Sequence, residues 1–417
     1  MRMGRWMDYL IGALCALATA SALAQPAPAE LRIGTLYAAS GNYAAISMPV
    51  YSGLTFWVDQ KNSEGGVFVK AYNKKIPIKL ISYDDQSNPA TAATLYNQLI
   101  TQDKVDILIS DSGSVLTAVA VPIAREHKML LIDQTGTGAS FFTKDNPYIV
   151  LMDDPVSSIW PKYVGDFLTK DGAGLGIKKV AILYATNDFT GTQATAVRGF
   201  IKNSGAPLEI VYDQGVPTTT TNYTVLINNI AAASPDAVVV LGYTNNDIAF
   251  LRNLEESGVK FKWLFAIYAG LETEHLVKTV GEKGLDYVYT YVPSSVLEYK
   301  PEAGLSLPQF KAAWEKKNSD GKIEFGFNAV AGYTTGVILE SALGVSKSLE
   351  QLALREAMTS LSGKLKTLDG TFMIDETGAQ IGEITPLGQL VPDGSGVKFV
   401  TIYPHELATG KPVYPAK

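Results

Sequence analysis

Ser114, in "SDSGSVLTA", lies where an apolar strand pattern ends and an apolar helix pattern begins. Many serine hydrolases carry their nucleophile at such a turn, with one glycine two residues before the serine and another two residues after it. Here the single glycine, Gly113, directly precedes the serine. The three histidines, His127, His275 and His405, lie in helical or terminal contexts without an obvious carboxylate partner. A Ser-His-Asp enzyme is therefore an alternative that the spacing does not favour.

Metal and nucleotide chemistry have little support in the sequence. The chain holds no Cys/His cluster, and Asp84 and Asp85 lack the alternating acidic ligands of a calcium loop. The run Gly172-x-Gly174-x-Gly176 precedes a strand pattern, whereas a dinucleotide fingerprint follows one. The sequence thus predicts neither a metal nor a cofactor, and it predicts that the protein is not an enzyme.

Three small-residue turns point instead to binding: residues 39–43, 112–114 and 135–138, each after a predicted strand. In an open parallel sheet, ligands bind outside the carboxyl ends of the strands, where helix N-termini present free N–H groups. Ser114 either caps the next helix or offers its hydroxyl and N–H to a carboxylate. Pro122 is expected to kink or restart that helix. Together the three turns predict an anion-binding cleft.

The elements that position these turns are short apolar strand patterns alternating with helical ones. The predicted strands are 31–36, 76–83, 105–109, 129–132, 180–184, 208–212, 237–241 and 263–266. Between the second and third, residues 88–101 place Ala92, Tyr96 and Leu99 on one helix face, together with Leu95 and Ile100. This alternation is typical of parallel sheets covered by helices on both faces.

The alternation restarts once, near residue 153, where "YIVLMDDPVSSIWPKYV" leads from a strand into a new helix. A second α/β unit therefore begins there. Two later extended passages, "LDYVYTYVPSS" and "KLKTLDGTFMID", fit a chain that crosses between lobes again. The sequence predicts a two-lobed α/β protein.

The N-terminus has the order of a secretory signal peptide, with Arg2 and Arg5, an apolar stretch, and Ala22-Leu23-Ala24 before the cleavage site. A membrane anchor is the alternative, but the apolar run is shorter than the roughly 20 residues of a spanning helix. The full chain of 417 residues has a net charge of -6, which argues against nucleic acid or anionic membrane as a partner. The only cysteine, Cys15, lies inside the predicted signal. Core burial must therefore stabilise the mature protein without disulfides.

Longer segments resemble the periplasmic solute-binding proteins of the leucine/isoleucine/valine type. The segments are "LRIGTLYAASGNYA", "NSEGGV", "ISYDDQSNPATAATLYNQLI", "SGSVLTAVAVPIARE", "LLIDQTGTG", "KKVAILYATNDFTGTQATAVRGFIKNSGA" and "DAVVVLGYTNNDIAFLRNLEESGVK". The resemblance implies a type I clamshell whose two lobes are joined by three crossovers, each lobe a mostly parallel sheet with helices on both faces. Lobe 1 is expected to comprise residues 30–152 and 292–368, and lobe 2 residues 153–291 and 369–417. The implied function is that of a periplasmic monomer that delivers a solute to the permease and ATPase subunits of an ABC importer.

The resemblance also implies site residues. Ser114 matches the serine that binds the ligand carboxylate, Gly136 and Thr137 match the residues that bind its polar head, and Phe189 matches an aromatic residue that closes over it. Amino-acid binders of this family carry a glutamate for the ligand ammonium, where this chain has Ile267 or Tyr268, with Glu272 a few residues beyond. A closed cleft would leave an ammonium without a partner, which is costly. An α-amino acid ligand then needs a carboxylate from elsewhere.

Six aromatic residues are expected around the cleft: Tyr43, Phe141, Phe189, Tyr243, Tyr268 and Tyr291. Aromatic rings beside a carboxylate-binding turn suit an apolar ligand. Two ligand classes remain open, namely branched-chain or related amino acids and aromatic or keto acids. Besides an importer component, the alternatives are a soluble sensor acting on a membrane receptor and a secreted hydrolase.

Overall fold

The computed structural model describes residues 26–297, 299–394 and 396–416, so the predicted signal peptide, residues 1–24, lies outside the described residues. The strands are β1 Leu31–Tyr37, β2 Val67–Val69, β3 Lys74–Ile76, β4 Ile78–Asp84, β5 Ile107–Ile109, β6 Leu131–Asp133, β7 Ile149–Leu151, β8 Lys179–Ala185, β9 Glu209–Val216, β10 Ala237–Leu241, β11 Leu264–Ala266, β12 Tyr289–Tyr291, β13 Leu365–Thr367, β14 Gly370–Phe372, β15 Leu387–Pro392 and β16 Val397–Tyr403. The α-helices are α1 Ala44–Ser63, α2 Pro89–Thr101, α3 Ser114–Glu126, α4 Lys162–Asp166, α5 Asp188–Asn203, α6 Thr224–Ala232, α7 Thr244–Ser257, α8 Tyr268–Leu271, α9 Thr273–Val280, α10 Leu307–Lys317, α11 Phe327–Leu343 and α12 Gln351–Leu361.

The first sheet has five parallel strands in the order β4-β1-β5-β6-β7. Its short strands β5, β6 and β7 are buried at every residue. Alternate side chains enter two cores: Ile107 and Ile109 pack with α1 and α11, whereas Leu108 packs with α2 and α3. Helices therefore cover both faces, which explains the near-continuous apolar strand patterns.

The second sheet has seven strands in the order β16-β15-β12-β11-β10-β8-β9. Its strands are parallel from β9 through β12, and β15 and β16 extend the sheet antiparallel at one edge. β15 and β16 follow each other closely in the chain, and a short connection of this kind gives an antiparallel pair.

Each predicted strand overlaps an observed one, with ends that differ by a few residues. The largest difference is at the end of β9, which continues to Val216 rather than to residue 212. At residue 76 the prediction joins two strands. Pro77 separates β3 from β4, since proline cannot donate to a ladder. The predicted helix over 88–101 is α2, and the Asn88 side chain caps it by accepting from Ala90 N at 2.9 Å and Thr91 N at 3.1 Å. The helix does not restart at Pro122, one of the two predicted alternatives, because α3 continues through that residue to Glu126.

The chain passes between the two sheets three times: after β7, after β12, and between β14 and β15. Phe372 and Ile374 still pack with the core of the first sheet, beyond the predicted boundary at residue 368. The exact lobe limits stay a prediction. In the described ranges, no helix has both the length and the apolar character that crossing a membrane requires.

Four buried carboxyl groups lie at or near the first and third passages: Asp153 and Asp154 after β7, Asp369 between β13 and β14, and Glu383 between β14 and β15. Glu383 Oε2 accepts from Asp154 N at 2.7 Å, and so ties the two passages together. Burial is the largest cause that raises the pKa of each of the four groups. Protonation within this cluster removes the repulsion that four close charges would cause.

Candidate ligand-binding cleft

The turn before α3 exposes helix donors to the space between the lobes. Gly113 precedes the helix with φ 80°, a conformation that a residue with a Cβ rarely adopts. Ser114 is the first helical residue and does not cap α3, and no other side chain among the described residues does so. Its Oγ accepts from Gly138 N at 3.0 Å, which leaves the hydroxyl proton free to donate. The first N–H groups of α3 also lack partners within the helix.

A buried carboxylate pair supports this turn from below. Asp111 Oδ1 accepts from Ser47 Oγ and from Ser112 N, both at 2.6 Å. Burial raises the pKa of Asp111 to about 6 and that of the neighbouring Asp85 to about 8. Asp111 thus holds the turn in place by hydrogen bonding.

The turn after β6 is organised by Asp133. Its Oδ1 accepts from Gly136 N at 2.8 Å and from Ser110 Oγ at 2.9 Å, and burial raises the pKa of Asp133 to about 7. A Cβ on Gly136 would lie 2.4 Å from Thr117 Oγ1, so only glycine fits there. Because its N–H points inward to Asp133, Gly136 shapes the turn from behind the cleft.

Thr137 presents lone pairs to the cleft. Ser157 Oγ lies 2.7 Å from the Thr137 carbonyl oxygen and donates its only proton to it. In the neighbouring pair, where Thr137 Oγ1 and Ser157 Oγ are 2.8 Å apart, the threonine is then the donor. Its hydroxyl oxygen therefore suits a ligand donor such as an ammonium, whereas Ser114 suits a ligand acceptor.

The second lobe contributes aromatic rings. Asn187 caps α5 by accepting from Phe189 N at 2.9 Å, which fixes Phe189 at the helix start. The rings of Phe189 and Tyr243 lie 5.5 Å apart, and those of Tyr243 and Tyr268 lie 6.2 Å apart. Trp160 extends the row, with its ring edge-on to Phe189 at 5.1 Å. These rings form an apolar wall opposite the two turns.

The Tyr243 hydroxyl reaches across to the α3 turn. Burial is the largest effect on the pKa of this phenol and raises it, whereas the nearby backbone N–H groups of Ser114 and Val115 oppose that rise. Within the described residues, the hydroxyl has no hydrogen-bond partner of good geometry. It therefore lies in the region where a ligand carboxylate would meet the helix donors.

Five of the predicted site residues line one cavity of about 20 Å³ between the lobes: Ser114, Thr137, Phe189, Tyr243 and Tyr268. The other residues that line it are Ile46, Gly113, Thr135, Asp154, Trp160, Phe327 and Asn328. Ligand sites usually measure about 300–1,000 Å³. A solute therefore needs the lobes to separate or the rings to move before it can enter.

Other predicted residues lie in the layer behind the cavity. Tyr291 donates from its hydroxyl to Gln193 Oε1 at 2.8 Å, and its ring packs against Trp160 at 5.3 Å. Tyr43 packs edge-on to Tyr243 at 5.3 Å. Phe141 belongs to the core under α2 and α3. Within the described residues, neither these three rings nor Gly136 line the cavity.

Asp154 is an acidic residue that lines the cavity and that the sequence analysis did not predict as part of the site. Its side chain is 5% exposed and its backbone has φ 63°, unusual for a residue with a side chain. The sequence marks Asp153-Asp154-Pro155 only as a change of unit. Burial, followed by the charge of Asp369, raises the pKa of Asp154 well above its usual range. It supplies a carboxyl group that Ile267, which is buried in the core, does not.

Glu272 lies beside this cavity rather than in it. Asn328, which lines the cavity, donates from Nδ2 to Glu272 Oε1 at 2.8 Å, and Glu272 lines a larger neighbouring cavity. Burial raises the pKa of Glu272 to about 8. The side-chain amide of Asn328 thus lies between this glutamate and the cleft cavity.

Three further contacts join the lobes around the cleft. Asp188 Oδ2 accepts from Ser140 N and from Ser140 Oγ, both at 2.9 Å. Asn245 Nδ2 donates to Asn42 O at 3.2 Å. Lys278 pairs with Glu324. With the Asn328–Glu272 bond, these contacts hold the lobes in the closed arrangement seen here.

The histidines lie away from Ser114. His127 contacts Asn97 Oδ1 at 3.2 Å, and His405 lies 3.4 Å from Asp171. In the part of the chain that the structure describes, none of the three histidines lines the Ser114 cavity, and no group of three or more acidic, histidine or cysteine side chains is arranged to hold a metal ion. The geometry around Ser114 suits hydrogen bonding to a ligand.

Comparisons with known proteins agree on family and fold. A family model described as periplasmic binding protein matches residues 30–394. Leu/Ile/Val-binding protein homolog 7 of Brucella suis biovar 1 is 23% identical over 405 residues, which cover 95% of this chain and 97% of the relative.

Two solved structures illustrate the fold. One is a branched-chain amino acid transporter substrate-binding protein from Streptococcus pneumoniae in complex with isoleucine, at TM-score 0.71 and 20% identity, covering 89% of this chain and 100% of the other. Another is an ABC transporter solute-binding protein from R. palustris in complex with benzoate, at TM-score 0.70 and 19% identity, covering 89% and 96%. The predicted type I clamshell is confirmed.

Proposed function

This chain belongs to the periplasmic binding protein family, and we propose that it captures a small carboxylate-bearing solute for an ABC importer. The observation that carries the proposal is the pairing of Ser114 with Asp154 and Thr137 around one cavity between the lobes. Closure brings donors and acceptors from the first lobe onto a ligand that the rings of the second lobe cover. The ligand is bound and released without chemical change.

An α-amino acid with an apolar side chain fits this arrangement best. Its carboxylate accepts from the Ser114 hydroxyl and from the first N–H groups of α3. Its ammonium donates to Asp154 and to the lone pairs of Thr137 Oγ1. Its side chain packs against Phe189 and Trp160. The relatives named for leucine, isoleucine and valine support this class.

An aromatic or keto acid is the second candidate, and the raised pKa of Asp154 favours it. A protonated Asp154 needs no cation beside it and donates a hydrogen bond to a neutral ligand oxygen. The aromatic wall and the benzoate complex of a structural neighbour support this class as well.

Titration calorimetry with isoleucine, leucine, phenylalanine, benzoate and 4-methyl-2-oxopentanoate separates the two classes. We expect isoleucine or leucine to bind wild type, and Asp154→Asn to weaken them by roughly 3–5 kcal/mol, as expected for a buried charge that loses its partner. If benzoate or the keto acid binds and Asp154→Asn leaves it unaffected, the second class is correct. If none of the five binds, the proposed function fails.

Transport and location are part of the proposal. We infer that the predicted signal peptide is removed after Ala24 and that the mature protein acts in the periplasm, as a monomer, with permease and ATPase subunits. N-terminal sequencing of the periplasmic protein tests the first inference, and ligand uptake into vesicles carrying those subunits tests the second. A sensor would bind the ligand without supporting uptake. A hydrolase would convert it during long incubation, which mass spectrometry of the recovered ligand detects.

A further inference from the structure

A second, larger cavity of about 600 Å³ lies beside the cleft. The first lobe lines it with the start of α1, part of α10 and the segment before α11, and the second lobe with α8 and the start of α9. The passage after β12 closes one side through Pro293, Ser295 and Val296. Its volume lies within the range of about 300–1,000 Å³ that ligand sites occupy, whereas the cleft cavity does not.

Most of the wall is apolar. The side chains of Met48, Leu271, Ile323, Phe325 and Phe327 line the cavity. Phe327 and Asn328 line both this cavity and the cleft cavity, so the two spaces meet at these residues. A molecule bound here would bury most of its apolar surface away from water, and this burial is the main source of affinity in such sites.

Charged residues also line the cavity, namely Glu272, Glu274, Glu324, Lys311 and Lys322. Among them, Glu272 is the acidic group that bonds to Asn328. Its Oε1 accepts from Asn328 Nδ2 at 2.8 Å, which leaves the Asn328 amide oxygen available as an acceptor. Of the other two acidic residues, Glu324 is paired with Lys278 across the lobes, and Glu274 is exposed. Of the two lysines, Lys322 is paired with Asp320, and Lys311 lies over the Phe325 ring. The Glu272 carboxyl group and the Asn328 amide oxygen both accept hydrogen bonds. An ammonium group donates hydrogen bonds, so it is the ligand group that matches them.

We propose that this cavity is a second ligand site that binds a small apolar amine, with its ammonium at Glu272 and Asn328 and its hydrocarbon body against Phe325 and Phe327. The raised pKa of Glu272 agrees with this arrangement, since a buried carboxyl group gains most from a cation that enters with it. The site is separate from the cleft, so it does not rest on the proposed function.

The test is calorimetry on the full mature chain with 2-phenylethylamine, and with 2-phenylethanol as the probe that lacks the charge. Wild type should bind the amine at least tenfold more tightly than the alcohol. Glu272→Gln should weaken amine binding at least tenfold. Glu255→Gln is the matched control, because its exposed carboxylate on α7 does not line the cavity, and it should change the affinity less than twofold.

A blocking variant keeps the proposal falsifiable if Glu272→Gln folds poorly. Val296 is 43% exposed and lines the cavity, so Val296→Trp should fill the space without disturbing the core, and it should abolish amine binding. The proposal is overturned if wild type does not bind the amine, if the alcohol binds equally well, or if Val296→Trp binds like wild type. Loss of binding in Asp154→Asn with full binding in Glu272→Gln would place the amine in the cleft, and would overturn it as well.

Discussion

The two walls of the cleft are built from different parts of the chain. On the first lobe, main-chain turns and two hydroxyl groups face the cleft, and buried carboxyl groups hold the turns from behind. On the second lobe, the rings of Phe189, Tyr243 and Tyr268 face it. The first wall is therefore suited to the polar head that many ligands share, and the second to the body that distinguishes them.

In both walls a buried carboxyl group accepts a hydrogen bond from a backbone N–H group. Asp133 accepts from Gly136 N at 2.8 Å on the first lobe, and Asp247 accepts from Tyr268 N at 2.7 Å on the second. In both lobes a buried carboxyl group orients the segment that reaches the cleft. The difference between the walls is in what each segment presents, either backbone and hydroxyl or ring.

Of the two walls, the first is expected to show the larger effect. Replacing both Ser114 and Thr137 by alanine removes a donor to the ligand carboxylate and an acceptor for its ammonium, which should weaken the amino acid ligand by roughly 2–4 kcal/mol. Calorimetry measures this, with Ser40→Ala on the exposed first turn as the control. An unchanged affinity would mean that the ligand head is bound elsewhere.

Both supporting carboxyl groups predict a pH dependence of stability. Burial raises the pKa of Asp133 to about 7 and that of Asp247 to about 8, above the unfolded value of roughly 4. Their stabilisation is complete below the unfolded pKa and is lost as the pH rises through the folded pKa. Between these values, each group should lower the free energy of unfolding by about 1.4 kcal/mol per pH unit.

Urea unfolding between pH 5 and pH 8 tests this dependence. Asp133→Asn and Asp247→Asn should each flatten the decline relative to wild type, because neither substituted group titrates. Equal slopes in wild type and both variants would contradict the assignment. A flatter slope in only one variant would show that the two walls are not supported in the same way.

The second wall should control selectivity. Phe189→Leu removes ring contacts with Trp160 and Tyr243, and should weaken isoleucine by about 0.5–1.5 kcal/mol while leaving glycine nearly unchanged. Phe200→Leu, on the same helix and outside the cavity, is the control. If glycine and isoleucine weaken equally, Phe189 acts on the ligand head or on closure instead.

The smallest expected effect is at the rim. Asp188→Asn weakens the charge-assisted bonds from Ser140 that join the walls, and because this pair is exposed the ligand should bind less tightly by about 0.5–1 kcal/mol. The change should appear mainly as faster dissociation in stopped-flow measurements, with Glu209→Gln as the control. A slower dissociation would mean that the contact opposes closure.

The sequence by itself determined the architecture and the polar wall. Strand and helix patterns placed both sheets because burial on two faces gives continuous apolar strands, and the turns at Ser114 and Thr137 were visible because helix starts and strand ends are local features.

Only the tertiary structure decided which rings and acids reach the cleft. Tyr243 and Tyr291 look alike as sequence, yet one lines the cavity and the other donates to Gln193 behind it. Asp154 enters the cavity because the backbone turns to φ 63° where the chain leaves the first lobe, and Glu272 is directed past the cleft by its bond to Asn328. Such positions depend on contacts between segments far apart in the chain, so no local pattern records them.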